Sequence, residues 1–261
     1  MKLFELPVRE TSMTVCLLDM DKQMPYVQEK PLVIVCPGGG YIFRSPRESE
    51  SITTRLMGAG FHTAILHYSV APAKFPTAAL QLAQAVREVR AHAAEWHVSQ
   101  VYILGFSAGG HLCATVGTMW DDPVFFEHLG EEGDWRPDGQ ILCYPVITMG
   151  EFTHRGSREN LLGDRADELQ DALSMEKRVT KNTVRTFLWH TMDDGLVPVE
   201  NSLQYAAALR RAGVSFEMHI YEHGLHGLST CDEQSAEIPQ QIVPDDAGWM
   251  DKAIRFIRRG A

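Results

Sequence analysis

Val101-Tyr102-Ile103-Leu104-Gly105-Phe106-Ser107-Ala108-Gly109-Gly110 is the stretch from which the fold can be read. Four apolar residues make a short strand, and a serine follows with a glycine two positions to either side. This is the pattern of a nucleophile elbow, a strand-to-helix turn so tight that small residues are needed around the serine. Ala108-Gly109-Gly110-His111-Leu112-Cys113-Ala114 then opens a helix. The five-residue pattern alone recurs by chance in many proteins. Its place between a strand and a helix gives it weight.

Outward from the elbow, apolar runs alternate with amphipathic ones. Pro31-Leu32-Val33-Ile34-Val35-Cys36 reads as a strand buried on both faces. Strands are also expected over residues 13–20, 61–68, 140–144, 186–190 and 215–221. Helices are expected over 45–59, opened by Ser45-Pro46, and over 77–97, with Leu80, Ala83, Val86 and Val89 on one face. Further helices fall at 108–120, 199–212 and 246–259. Such alternation predicts an α/β fold: a largely parallel sheet with right-handed crossovers and helices on both faces. Chemistry in such a sheet gathers at the carboxyl ends of the strands. Neither a repeat nor a low-complexity linker divides the chain, so a single domain over 1–261 is expected. The long connection at 147–181 reads as a small helical insertion over the site.

Composition narrows the partners. Of 261 residues, 44% are hydrophobic and 22% charged, enough apolar material for a sizeable core. The formal net charge of −10 argues against a nucleic-acid partner, because neutralising phosphates needs a basic face. The first ten residues show no secretory pattern, and no apolar run approaches a membrane span, so no membrane partner is expected. Five cysteines, Cys16, Cys36, Cys113, Cys143 and Cys231, are scattered singly. They read as free thiols in a reducing, cytoplasmic setting.

A serine hydroxyl is a poor nucleophile until a base takes its proton, so the elbow calls for a histidine and a carboxylate downstream. Both follow in the order Ser, Asp, His. Thr191-Met192-Asp193-Asp194-Gly195-Leu196-Val197-Pro198 follows one strand, and Glu222-His223-Gly224-Leu225-His226-Gly227 follows the next. Asp194 is preferred over Asp193 for its spacing to Val197-Pro198. His226 is preferred over His223 because it lies deeper in its loop. On the other reading Asp193 is a loop or capping carboxylate and His223 a solvated turn residue. His219, His223 and His226 do not read as metal ligands, since His219 lies within a strand and no helix aligns the other two. Cys36-Pro37-Gly38-Gly39-Gly40-Tyr41, directly after a strand, supplies a backbone that can approach a ligand closely. Gly39 and Gly40, with Gly38 as an alternative, join Ala108 as N–H donors to a tetrahedral oxyanion, each worth roughly 10²–10³ in turnover.

With these motifs in hand, the chain resembles the α/β-hydrolase superfamily. More closely, it is similar to bacterial esterases related to acetyl-xylan esterases and the hormone-sensitive-lipase group. The matching segments include Pro37-Gly38-Gly39-Gly40-Tyr41, His67-Tyr68-Ser69-Val70-Ala71-Pro72, Gly105 to His111, His190 to Asp194 and Gly224-Leu225-His226-Gly227. Pro37 stands where the lipase-like branch usually has histidine, which favours the small acetyl-esterase-like branch. The resemblance implies Ser107 as nucleophile, His226 as base and Asp194 as orienting acid. It also implies Gly39, Gly40 and Ala108 as the oxyanion hole, and Tyr41, Tyr144, Pro145 and Val146 beside the acyl pocket.

The expected function is a serine carboxylic-ester hydrolase for short acyl, chiefly acetyl, groups on carbohydrate or similar small esters. Its partner is a small-molecule ester, and it needs no metal or organic cofactor. Small-amide hydrolysis on the same triad is the alternative within the class. A non-catalytic ligand-binding hydrolase fold is the alternative outside it. Trp120, Phe125, Phe126 and Trp135 are open to three readings: pocket lining, internal packing, or contact with a second subunit of a homodimer.

Overall fold

A computed structural model of the chain describes residues 1–21, 23, 26–131 and 134–260. Its strands are β1 (Lys2–Val8), β2 (Thr11–Leu17), β3 (Lys30–Cys36), β4 (His62–Leu66), β5 (Val98–Phe106), β6 (Gly139–Cys143), β7 (Arg185–Thr191) and β8 (Phe216–Tyr221). They form one sheet in the order β1-β2-β4-β3-β5-β6-β7-β8. β2 pairs antiparallel with β1 and β4, and from β4 to β8 every pairing is parallel. The connections carry α1 (Glu50–Gly58), α2 (Thr77–Ala91), α3 (Ala93–Trp96), α4 (Ser107–Met119), α5 (Pro123–Leu129), α6 (Arg155–Leu162), α7 (Ala166–Leu169), α8 (Met175–Arg178), α9 (Glu200–Ala212) and α10 (Trp249–Arg258).

Period-two alternation along β3 divides the core. Leu32, Ile34 and Cys36 face a cluster built with α2, α4 and α9, whereas Val33 and Val35 face one built with α1 and α10. Burial on both faces explains why the central strands read as unbroken apolar runs. Parallel pairing from β3 to β8 puts the carboxyl ends of β3, β5, β7 and β8 at one edge of the sheet.

Several elements depart from the sequence expectation. β1 was not foreseen: its hairpin with β2 turns at Arg9 (φ 52°) and Glu10, without the Asn-Gly or Asp-Gly signal of tight hairpins. The helix expected over 45–59 is instead a 3₁₀ turn, Pro46–Glu48, followed by α1, with Ser49 between them out of helical geometry. The helix expected over 77–97 divides into α2 and α3 at His92, whose side chain bonds the Glu88 carbonyl at 2.9 Å and stacks on Trp96. The 121–138 loop, partly outside the described residues, contains α5. Its aromatic residues pack mostly inward: Phe125 and Trp135 are buried, and the Trp135 indole donates to the Trp120 carbonyl. Residues 147–181 carry the short helices α6, α7 and α8.

Candidate active site

β5 runs straight into α4, and Ser107 sits at the junction with φ 52°. An L-residue rarely adopts this conformation, and the cost is met by packing around it. A Cβ on Gly105 would lie 2.1 Å from the Gly109 carbonyl oxygen, and one on Gly109 would lie 2.1 Å from that of Cys36. Real side chains never come so close. Small residues flank the serine because the backbones of β3, β5 and α4 meet there. The Ser107 carbonyl in turn accepts the Val146 N–H at 3.0 Å, which fixes the turn to the segment after β6.

The loops after β7 and β8 bring the other two members of the expected triad to this turn. Ser107 Oγ donates to His226 Nε2 at 2.8 Å, and His226 Nδ1 donates to Asp194 Oδ2 at 2.7 Å. Asp194 Oδ1 accepts the N–H groups of Leu196 (2.9 Å) and Val197 (3.0 Å). Burial pushes the Asp194 carboxyl up, but hydrogen bonds from His190 and His226 outweigh it and hold the group well below the ordinary carboxylate range. His226 keeps 13% of its side chain exposed, enough to meet a ligand from solvent.

The neighbouring candidates lie apart from this chain of bonds. Asp193 accepts from His223 Nδ1 at 3.0 Å and from the Gly224 N–H at 2.7 Å, tying the β7 and β8 loops together at the surface. His219 lies in β8 and bonds Glu217. Among the described residues, no group of His, Cys, Asp and Glu has the arrangement of a metal site. All five cysteines are free thiols.

The glycine loop after β3 turns beside the elbow. Gly39 (φ 124°) and Gly40 (φ 62°) occupy backbone regions that favour glycine. The Gly39 carbonyl accepts from Ile42 and Phe43, and the Gly40 carbonyl accepts from Asn160 Nδ2 at 2.9 Å. Among the described residues, no internal acceptor takes the N–H of Gly39 or Gly40. Ala108 lies in the first turn of α4, where N–H groups have no intrahelical acceptor. Gly38, the alternative donor, is excluded because its N–H is held by Glu48 Oε2 at 2.7 Å.

The residues expected beside the acyl pocket are all buried. Tyr41 donates to His111 Nδ1 at 3.0 Å, and His111 Nε2 donates to the Leu173 carbonyl of the insertion. Tyr144 stands edge-on to His226 with ring centres 5.0 Å apart. Pro145 packs against Gly110, and Val146 holds the Ser107 carbonyl.

Two histidines were missed from sequence. His190, buried at the end of β7, directs Nε2–H at the Val197 carbonyl (2.9 Å) and Asp194 Oδ2 (3.2 Å), while Nδ1 accepts from Ser202. His154 caps α6 by accepting the Ser157 N–H on Nδ1, and a Cβ on Gly40 would lie 3.6 Å from its Cε1. Burial first, then the neighbouring His226, holds the His154 imidazole below its ordinary range where the insertion roofs the glycine loop. Only the Ser at the N3 position of α6 could have signalled it.

The chain is similar to known proteins over most of its length. The BD-FAE family model matches residues 18–209. Acetylxylan esterase of Xylanibacter ruminicola is 32% identical over 207 residues, which are 75% of this chain and 40% of that protein. The chain spans 34% to 40% of the length of the first curated relatives it matches. The structure of an acetyl ester-xyloside bifunctional hydrolase from Caldicellulosiruptor lactoaceticus superposes with a TM-score of 0.81 at 37% identity, over 95% of this chain and 88% of that one. The carboxylesterase Cest-2923 from Lactobacillus plantarum gives 0.89 at 27% identity, over 99% and 98%.

Proposed function

Because this chain belongs to the BD-FAE family of α/β-hydrolases, among the esterases related to acetylxylan esterases, we propose that it is a serine carboxylic-ester hydrolase for short acyl groups. Acetyl esters of carbohydrate are the preferred substrates on this reading. The observation that carries it is the unbroken hydrogen-bonded path from Ser107 Oγ through His226 to the buried Asp194.

Ser107 Oγ attacks the ester carbonyl while His226 Nε2 takes its proton, and Asp194 stabilises the resulting imidazolium. The carbonyl oxygen becomes an oxyanion facing the N–H groups of Gly39, Gly40 and Ala108. His226 then gives the proton to the leaving alcohol, which departs and leaves an acyl group on Ser107. Water, deprotonated by the same histidine, releases the acid and restores the serine. These groups handle every proton and charge in the cycle, so the reading calls for no metal or organic cofactor.

Support for the carbohydrate side comes from the relatives, two of which are named for acetyl esters or acetylxylan. Buried free thiols support a reducing compartment, where acetylated oligosaccharides rather than intact xylan are the substrates. Acetate release from acetylated xylo-oligosaccharides, set against hydrolysis of small formyl amides, tests the choice. Faster turnover of the ester is expected. Turnover of the amide alone would overturn the reading.

A further inference from the structure

Glu48 is a buried carboxylate beside the site that the mechanism above leaves unused. It is 4% exposed and, among the described residues, makes no ion pair within 4.0 Å with a lysine, arginine or histidine. A carboxylate in such a place is costly, since burial removes water without a countercharge in contact. Glu48 is the last residue of the 3₁₀ turn, just before the break at Ser49 that precedes α1.

Its two oxygens hold different loops. Oε2 accepts the Gly38 N–H at 2.7 Å, at the root of the glycine loop. Oε1 accepts the Tyr144 O–H at 2.7 Å, and the Tyr144 oxygen accepts the Ser229 N–H at 2.9 Å, just beyond the His226 loop. Both oxygens therefore act as acceptors, as an ionised carboxylate does. A Cβ on Gly38 would lie 2.7 Å from Oε2 and 3.0 Å from Ser107 Cβ, so carboxylate and nucleophile flank the same glycine. Tyr144, bonded to Glu48, is also the ring that stands against His226.

We propose that Glu48 is a positioning residue for catalysis: it fixes the glycine loop and the Tyr144 ring, and its charge favours the imidazolium formed on His226. Asp194 and His154 are the other titratable groups acting on His226 from the packed elements, with the Ser107 hydroxyl bonded to it. Around Glu48 lie Arg47, Tyr68, Cys143 and Tyr144, with burial pushing the Glu48 carboxyl up and the Tyr144 bond opposing it. The Arg47 guanidinium bonds the Gly227 and Ser235 carbonyls and pairs with Glu237, and its charge also opposes the upward push of burial on Glu48.

This inference rests on the serine-hydrolase reading but not on the substrate, so the readout is inactivation by a fluorophosphonate. In that reaction Ser107 Oγ bonds to phosphorus, fluoride departs, and the proton passes to His226. Wild type must be labelled and Ser107→Ala must not. Failure there sinks the serine-hydrolase reading rather than this one. Glu48→Gln keeps the shape and removes the charge. It is expected to label about ten-fold more slowly at neutral pH, with the acid limb of the rate moved down by about half a pH unit. Glu48→Asp keeps the charge and is expected to leave that limb in place while slowing labelling. A folded Glu48→Gln protein with an unmoved limb overturns the proposal. If Glu48→Gln does not fold, Tyr144→Phe, which cuts the link at Oε1, must slow labelling at least several-fold, and an undiminished rate overturns it equally.

Discussion

Asp193 and Asp194 stand side by side in the loop after β7, yet their surroundings separate them. Asp194 is buried and accepts hydrogen bonds from His226, His190 and two backbone N–H groups. Asp193 lies at the surface on His223 and Gly224. Asp194→Asn is therefore expected to lower kcat by about 10⁴, since it disturbs the tautomer and charge of His226. Asp193→Asn should cost less than about ten-fold. Steady-state kinetics on one ester decide it, and the reverse order would show the wrong carboxylate to be in the triad. This choice was legible because Asp194 needs a fixed spacing to the N–H groups of Leu196 and Val197. His190 was not, since a histidine in an apolar strand reads as core until its neighbours are known. Glu48 was still less so: within Arg47-Glu48-Ser49-Glu50 it looks like any exposed helix carboxylate.

At the scale of elements, the elbow depends on three backbones meeting. Gly109→Ala places a methyl 2.1 Å from the Cys36 carbonyl oxygen and 2.5 Å from that of Pro37. A backbone atom cannot move aside as a flexible side chain can, so the loss is expected to reach about 3 kcal/mol or to abolish folding. Gly58→Ala, at the end of α1, meets nothing within 4 Å and is expected to be neutral or to stabilise by a few tenths of a kcal/mol. Urea unfolding of the pair checks both. Equal stability of Gly109→Ala and wild type would contradict the packing described. The periodic elements were legible because burial on one or two faces imprints a period on the sequence. The β1 hairpin, the Ser49 break and the His92 break were not. Each depends on a particular side chain or backbone turn rather than on a repeating pattern.

For the molecule as a whole, the largely parallel sheet followed from alternation, whereas the strand order did not, and buried histidines contribute to its response to acid. Burial first lowers His62 and His111 to about 4. The unfolded chain binds protons at these positions from about pH 6.5 downward, whereas the folded chain does so only near pH 4. Each histidine thus contributes stability that is present at neutral pH and is lost as pH falls from about 6.5 to about 4, by up to about 1.4 kcal/mol per pH unit. Asp246, raised to about 6 chiefly by burial, opposes this over its own window. Imidazole ¹⁵N shifts at pH 5.5 should show His62 and His111 neutral, and His223, raised by its bond to Asp193, charged. Charged His62 and His111 at that pH would contradict the burial of both. Folding of this sheet matters to function because it carries Ser107, Asp194 and His226 to one edge. The most direct test of that claim is hydrolysis of p-nitrophenyl esters from acetate to octanoate by wild type and Ser107→Ala. The expected result is activity that falls steeply beyond butyrate and vanishes in the variant; turnover that survives in Ser107→Ala, or is absent from wild type on every ester, would contradict it.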